Sequence, residues 1–504
     1  MKKILLIIAA FFISIASYAQ HEHHQHTQPK KQVTKPAVKK PVTKKVTVNK
    51  PLPKKAVEVP QAAKTKDTAK AMPAHDHSQH KQADATTNLT TTQATEHAKH
   101  AGHEMNMSHA YSLSLPMNRN GSGTGWLPDS SPMYGYMVHS RKWMYMFHGN
   151  LFLRYNNQDF THEGVRGDAK FDAPNWVMAM GQRQVGRNGL FHFNVMLSAD
   201  ALTSGREGYP LLFQTGETYK GQPLIDRQHP HDLFSELSVS YAHRLSDKAD
   251  VFAYLGYPGE PALGPVAFMH RPSALYNPDA PLSHHWVDAT HITFGVATLG
   301  FRYGKFKLEG SSFTGREPDE NRYDFDKPRF DSRSARLSFN PSADWALQVS
   351  QAFINSPEVL HASEDVNRTT ASAIHSKRLA KDVFLNATAL WGMNKTKGHA
   401  GEHAALLEGA LAMRRLAVYG RYEWVQKSVE ELGLPEEQFG HDALFPVNAV
   451  TVGGAYDVAN IKPLRLAAGA QFSIYSADSR LDYLYGNTPM ALEVYLRLYP
   501  GLMR

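Results

Sequence analysis

The stretch Trp143-Met144-Tyr145-Met146-Phe147-His148-Gly149-Asn150-Leu151-Phe152-Leu153-Arg154-Tyr155-Asn156 decides how this chain folds. Trp143, Tyr145, Phe147, Leu151, Leu153 and Tyr155 share one face, and Met144, Met146, His148, Asn150, Arg154 and Asn156 largely make up the other. Alternation residue by residue is the mark of a β-strand, whose successive Cβ atoms point to opposite sides of the pleat; a helix would group every third or fourth position instead. The same rule returns in Phe191, Phe193, Val195, Leu197 and Ala199 against His192, Asn194, Met196, Ser198 and Asp200. It recurs in Val383, Leu385, Ala387, Ala389 and Trp391, and in Leu464, Leu466, Ala468, Ala470, Phe472 and Ile474.

Working outward from that stretch, such segments fall at 143–156, 175–185, 189–200, 233–244, 249–257, 290–303, 305–314, 331–340, 344–354, 369–379, 382–393, 403–414, 416–427, 446–457, 463–475 and 490–499. They number about 16, with 14–18 as the tolerance, and their lengths suit tilted strands crossing a bilayer. Short turns at 186–188, 245–248, 304, 341–343, 380–381, 415 and 459–462 alternate with eight longer loops. An even count, with both ends on the short-turn side, predicts an all-β fold: a transmembrane antiparallel β-barrel of the bacterial outer membrane. A soluble β-sandwich also alternates apolar and polar positions, but it has no reason to keep short and long connections in strict order. Residues 143–504 are therefore expected to form the barrel, and 111–142 a pre-barrel segment able to plug it.

The first part of the chain is built differently. Residues 1–19 have the plan of a signal peptide: Lys2 and Lys3, an apolar run from Ile4 to Ile15, then Ser17-Tyr18-Ala19. That run is too short to span a bilayer as a helix. The absence of cysteine excludes disulfides and thiolate metal sites. The formal charge of +8 is concentrated in residues 20–110, where fifteen lysines face seven acidic residues. The remainder is close to neutral, which argues against a nucleic-acid partner.

Residues 20–110 read as a disordered, periplasmic, His/Lys/Pro-rich tail. Its Lys/Pro part, about 29–60, should be extended and could reach peptidoglycan, or serve as a plain tether. Histidines gather at both ends: His21, His23, His24 and His26, then His75, His77, His80, His97, His100 and His103, followed by Met105, Met107 and His109. Imidazole suits Cu(II), Zn and Ni, and thioether suits Cu(I), so these residues are candidate ligands for divalent or copper ions. A histidine-rich spacer with no metal is the plainer alternative.

Glu260 to His291 is the second informative stretch. Prolines at 261, 265, 272, 278 and 281 exclude a helix or a central strand. Yet Leu263, Val266, Phe268, Met269, Leu275 and Trp286 call for burial. It falls in the third external loop, which in sixteen-stranded porins of this plan bends inward. The second external loop ends Asp226-Arg227-Gln228-His229-Pro230-His231-Asp232, close enough for the two loops to converge. Candidate metal ligands are His229, His231, Asp232, His270, His284, His285 and His291; the alternative is that they stiffen the mouth by bonding loop backbone. The charged turn Gly315–Arg322 could pair with Arg227 or Arg271, or stay solvated. The expected pore-lining residues are His148, Arg154, His192, Asp200, Glu236, Lys307, Glu309, Arg336, Arg421, Glu423, Arg465, Glu493 and Arg497, with Glu408 on the same face. There is no nucleotide fingerprint, phosphate loop or favoured Ser-His-Asp order, so no enzyme activity is expected.

Segments Asp226–Glu236, Glu260–His291 and Gly315–Arg322 resemble those of a family of bacterial outer-membrane barrel proteins of uncharacterised function. The likeness spans most of 120–500. The plan of a His/Met-rich leader before a barrel is similar to the copper-resistance protein B family, at His103, Met105, Met107 and His109. Together these readings lead to an outer-membrane channel or efflux accessory for transition-metal (copper- or zinc-type) ions. A general small-solute porin with a cell-wall tether is the alternative, and a plugged surface-binding barrel a second one. The expected partners are outer-membrane lipid, metal ions, peptidoglycan and, as in many porins, further copies of the chain.

Overall fold

The computed structural model describes residues 107–503. The signal peptide and the tail ligands His21 to Met105 lie outside the described residues. Sixteen strands form the wall: Trp143–Gln158, Asn175–Val185, Gly189–Leu197, Phe234–Ser246, Ala249–Gly256, Val296–Tyr303, Phe306–Phe313, Ser332–Ser342, Trp345–Ile354, Val366–Ala380, Val383–Thr396, Gly401–Ala412, Leu416–Ser428, Leu444–Ile461, Leu464–Ser476 and Met490–Pro500. Neighbours pair antiparallel, and the last strand closes on the first from Ala491 opposite Gln158 to Leu498 opposite Leu151. The first strand is shared at both ends. Tyr136–Ser140 continues the last strand's place opposite Trp143–Phe147, and Ala169–Asp172 pairs opposite Arg154–Asn157.

The wall is built inside out. Leu299, Leu308, Leu407 and Val452 are 71%, 58%, 57% and 54% exposed, whereas Lys307, Glu309 and Arg497, one residue out of phase, are 1%, 2% and 0% exposed. A protein surrounded by water would bury the first set and expose the second; a bilayer reverses the preference, because lipid solvates the outer face. No helix among the described residues is long and apolar enough to cross a membrane, so the crossing is made by strands. The chain is an outer-membrane β-barrel.

Four boundaries depart from the sequence reading. The strand expected from 290 begins at Val296, because Ala289–His291 is a 3-10 turn and Gly295 turns the chain at φ +107°. The strand expected to reach 200 stops at Leu197, and Asp200 opens a short helix, Asp200–Thr203. The sixth external connection is only 397–400, because its flanking strands run on past the others. His109, expected in a flexible tail, is 1% exposed: Ser108–His109 pairs with Ser112–Pro116, and the imidazole sits edge-on to Trp126.

Two segments fill the lumen. The third loop, 257–295, is buried over nearly its whole length. Its Arg271 donates to Asp288 and to wall residue Glu408, both at 2.8 Å. Its Asp279 accepts from Arg154 at 2.6 Å and Gln471 at 2.8 Å. The pre-barrel segment takes the neighbouring space. Ser112 donates to Asp250 at 2.7 Å, Arg336 to Thr124 at 2.8 Å, and Asn340 to the Leu127 carbonyl at 3.0 Å. Buried charges of this kind persist only when paired and hydrogen-bonded, so the wall's ionic groups are committed to one another and to these two segments.

Candidate metal centre at the mouth

The second loop folds into a hairpin, Tyr209–Tyr219 with Gln222–Gln228, whose last residue is followed directly by His229. The third loop contributes a short helix, His284–Val287, and the 3-10 turn Ala289–His291. Two glycines make room. At Gly392 on the wall, a Cβ would stand 2.6 Å from the Trp286 carbonyl oxygen, so only glycine lets the helix lie against the strand. At Gly216, with φ +124°, a Cβ would fall 2.2 Å from Cε1 of His285.

The result is a contiguous group of five imidazoles. Ring centroids lie 5.4 Å apart for His229–His285, 6.0 Å for His229–His284, 5.2 Å for His284–His285, 5.2 Å for His284–His291 and 5.3 Å for His231–His291. Ring nitrogens of His229, His284 and His285 all fall within 4.8 Å of one another. None of the five residues is more than 9% exposed.

Their hydrogen bonds have a pattern. Nδ1 of His284 meets Asp288 Oδ1 at 2.6 Å, Nδ1 of His231 meets Asp200 Oδ2 at 2.6 Å, and Nδ1 of His291 meets the Asp288 carbonyl at 2.8 Å. A carboxylate or carbonyl oxygen only accepts, so the proton sits on Nδ1 and Nε2 keeps its lone pair. Nδ1 of His229 lies 3.1 Å from Glu217, and Nδ1 of His285 lies 3.7 Å from Glu317. All five Nε2 atoms are buried without a partner among the described residues. Burial holds His229 and His291 well below the ordinary imidazole range and lowers His284 as well, against the pull of Asp288. Burial alone would raise Asp288, but His284 and Arg271 outweigh it and hold the carboxyl well below its usual range. Burial pushes Glu217 up to about 8 against the pull of Arg322.

Two of the expected ligands stand apart. His270 packs against Trp176 and His148, with centroids at 4.7 and 5.7 Å. Asp232 accepts from Arg322 at 3.3 Å. The fourth loop does not pair with Arg227 or Arg271: Arg227 donates to Asp168 at 2.6 Å, and Arg271 is held by Asp288 and Glu408. Arg322 of that loop instead bonds Glu217 and Asp232, and Glu317 faces His285. Sequence reasoning missed Glu217, Glu317 and Gly216 as site residues, and it took Asp200 for a wall residue. The signal for Glu317 was its place in the quoted charged turn; nothing local marks Glu217.

The expected pore-lining residues sort by depth. Arg154 is locked by Asp172, Asp279 and Glu493, and Glu309 by Lys307 and Arg336. Arg421 reaches Glu408 at 3.2 Å, and Glu423 accepts the Ser283 amide. Glu236 accepts from Ser238, Asn194 and Tyr254. Arg497 donates to Asn150 and stacks 3.9 Å over Tyr499. Arg465 pairs with Asp457 near the short-turn end. His148 and His192 face the lumen with unpartnered Nε2 atoms.

Above the imidazoles lies a mouth cavity of about 160 Å³. His285 forms part of its floor, and seven glutamates line it against a single arginine, Arg368. A concave acidic surface concentrates cations and repels anions.

Among solved structures the chain is similar to other outer-membrane proteins. One is a loop-deleted form of OmpT, an outer membrane protein of Vibrio cholerae, at 10% identity, covering 71% of this chain and 100% of that one, with a TM-score of 0.42. Another is OmpF of Salmonella typhi in complex with daunomycin, at 8% identity, 72% and 100% coverage and a TM-score of 0.43. A third is an anion-selective porin from Comamonas acidovorans, at 9%, 71% and 99%, with a TM-score of 0.42. No protein-family model matches the chain, that of copper-resistance protein B included, and no curated protein matches it. The barrel is established by the strand pairing, and these likenesses carry nothing about its solute.

Proposed function

We propose that this outer-membrane barrel handles transition-metal ions, taking a divalent ion of the zinc or copper(II) class at the five-histidine group below its mouth. One observation carries the reading: five buried Nε2 atoms without protein partners, three of them on rings whose Nδ1 is fixed by an oxygen. Buried polar atoms are normally bonded, and each such orphan calls for an explanation. A carboxylate or carbonyl behind the imidazole is the arrangement that fixes the tautomer of a metal-bound histidine. His229, His284 and His285, whose ring nitrogens lie within 4.8 Å of one another, would supply the ligands; of these His284 has its tautomer fixed by Asp288, and the set suits the three-nitrogen sites of Zn and Cu. The acidic mouth gathers the cation, and the filled lumen weighs against free diffusion of general solutes.

The test is the thermal unfolding of the full-length protein in detergent, followed by its mobility on unboiled gels. Histidines of the leader add binding but cannot stabilise the barrel; a ligand held within the folded wall does. Zn(II) should raise the unfolding temperature, and the His229→Gln, His284→Gln double variant should lose that rise while its metal-free barrel stays folded. An equal rise in wild type and variant would remove the site.

A further inference from the structure

Ten of the chain's seventeen methionines meet in one cluster inside the barrel. Strand register arranges its wall part in rows. Met137 stands opposite Met146, which stands opposite Met180 on the next strand. One row nearer the mouth, His148 stands opposite Met178, and Met178 opposite Met196. Directly opposed residues on one face have Cβ atoms about 4.5–5.5 Å apart, within reach of shared coordination by long side chains.

Three features set these rows apart from gap-filling. Lumen faces of such barrels are ordinarily polar, and elsewhere this one carries buried ion pairs. In the three strands from Trp143 to Leu197, methionine occurs only on the inward face; the outward positions use Trp, Tyr, Phe, Leu and Val. The same inward face holds His148 and His192, whose Nε2 atoms are buried without partners, His192 being 2% exposed. A wall packed only for volume has no use for buried imidazole lone pairs.

The rows also connect upward. A cavity of about 40 Å³ is bordered by His229 and His231 on one side and by Met269 and Trp176 on the other. Trp176 opposes Asn150, the row next to His148 and Met178. His229, His231 and Met269 of the methionine cluster thus border one internal space, and Met269 packs with the wall methionines.

We propose that these thioethers form a track for a soft monovalent metal ion of the Cu(I) or Ag(I) class, running from the histidine group toward the short-turn end. Thioether sulfur is a soft, neutral donor that favours such ions over Zn(II) or Ni(II), and adjacent imidazoles complete a low-coordinate site. The inference rests on the metal-handling reading and adds a soft monovalent ion to the divalent class taken at the histidines.

The experiment uses the full chain with Ag(I), a redox-inert probe, and compares wild type with the Met146→Leu, Met178→Leu, Met180→Leu triple variant. Leucine keeps nearly the same volume, so packing is largely preserved. Silver should raise the wild-type unfolding temperature, and the triple variant should bind silver at the barrel roughly ten- to hundredfold more weakly. Its response to Zn(II) should be unchanged. If the triple variant does not fold, single Met178→Leu is read the same way, with a smaller loss. Silver stabilisation equal in wild type and variants, or none in wild type, would show the methionines to be packing only. Loss of the Zn(II) response in wild type with silver binding intact would sink the histidine site and leave the track standing.

Discussion

The two sides of the lumen wall use opposite chemistry. From Phe306 to Pro500 the inward face carries Lys307, Glu309, Arg336, Glu408, Arg421, Glu493 and Arg497, each less than 6% exposed and each bonded to a charged or polar partner. From Trp143 to Leu197 the inward face carries methionines and two histidines below a single paired cation, Arg154, and the imidazoles keep free nitrogens. The first side holds the third loop in place. The second leaves donor atoms for something that is not protein. Charge in this barrel is structural; softness is where a ligand fits.

The largest effect should come from breaking the charged side. Arg271 is fully buried between Asp288 and Glu408. Arg271→Met leaves Asp288 without its arginine and Glu408 with Arg421 alone, and a broken buried pair costs about 3–5 kcal/mol. The unfolding temperature of the barrel should fall accordingly, and single-channel conductance in planar bilayers should rise as the third loop loosens. A variant with wild-type stability and conductance would mean that the ion pairs do not fix the loop.

A smaller effect on the fold, with a distinct one on metal binding, should follow from Asp288→Asn. Asparagine keeps an oxygen for Arg271 but ceases to be an anion behind His284 Nδ1. The ring loses the partner that fixes its tautomer, and metal affinity should fall roughly 10–100-fold. Titrating the unfolding temperature against Zn(II) reads this directly. A wild-type midpoint would leave Asp288 as a loop anchor and nothing more.

Much of this comparison was legible in the sequence, but unevenly. Period-two alternation locates all sixteen wall strands, because a half-lipid, half-lumen strand has nowhere else to put its side chains. It also turned Met144, Met146 and His148 inward. It set Met196 on the face of His192 and Asn194, but it could not show that Met178, Met180 and Met196 stand in rows with Met146 and His148, since that depends on register between strands. The histidines of the second and third loops stood out by type, and five of the seven expected ligands lie in the group or form its core. Their carboxylate partners did not stand out. Glu217 and Glu317 come from separate loops, and Asp200 looked like one more alternating residue until the strand ended at Leu197. His270 was misleading because a proline-rich loop has no periodicity from which facing can be read.

The smallest expected effect concerns how metal reaches either side of the wall. Glu358 and Glu402 border the mouth cavity, whose floor includes His285, and neither bonds a histidine of the five-ring group. Replacing both by glutamine should leave stability within about 0.5 kcal/mol, as surface substitutions usually do. Burial and neighbouring glutamates push Glu358 up to about 8, so above that pH the change should slow Zn(II) uptake by roughly two- to fivefold at low ionic strength, because an acidic concavity raises the local cation concentration. The slowing should vanish at about 1 M salt, where screening acts over about 3 Å. The affinity at the histidines should not move, since the ligands and their anchors are untouched. Stopped-flow uptake at two salt concentrations separates this from a change in the site: a salt-independent loss would mean that Glu358 and Glu402 contact the bound ion, and that the mouth and the imidazoles act as one centre.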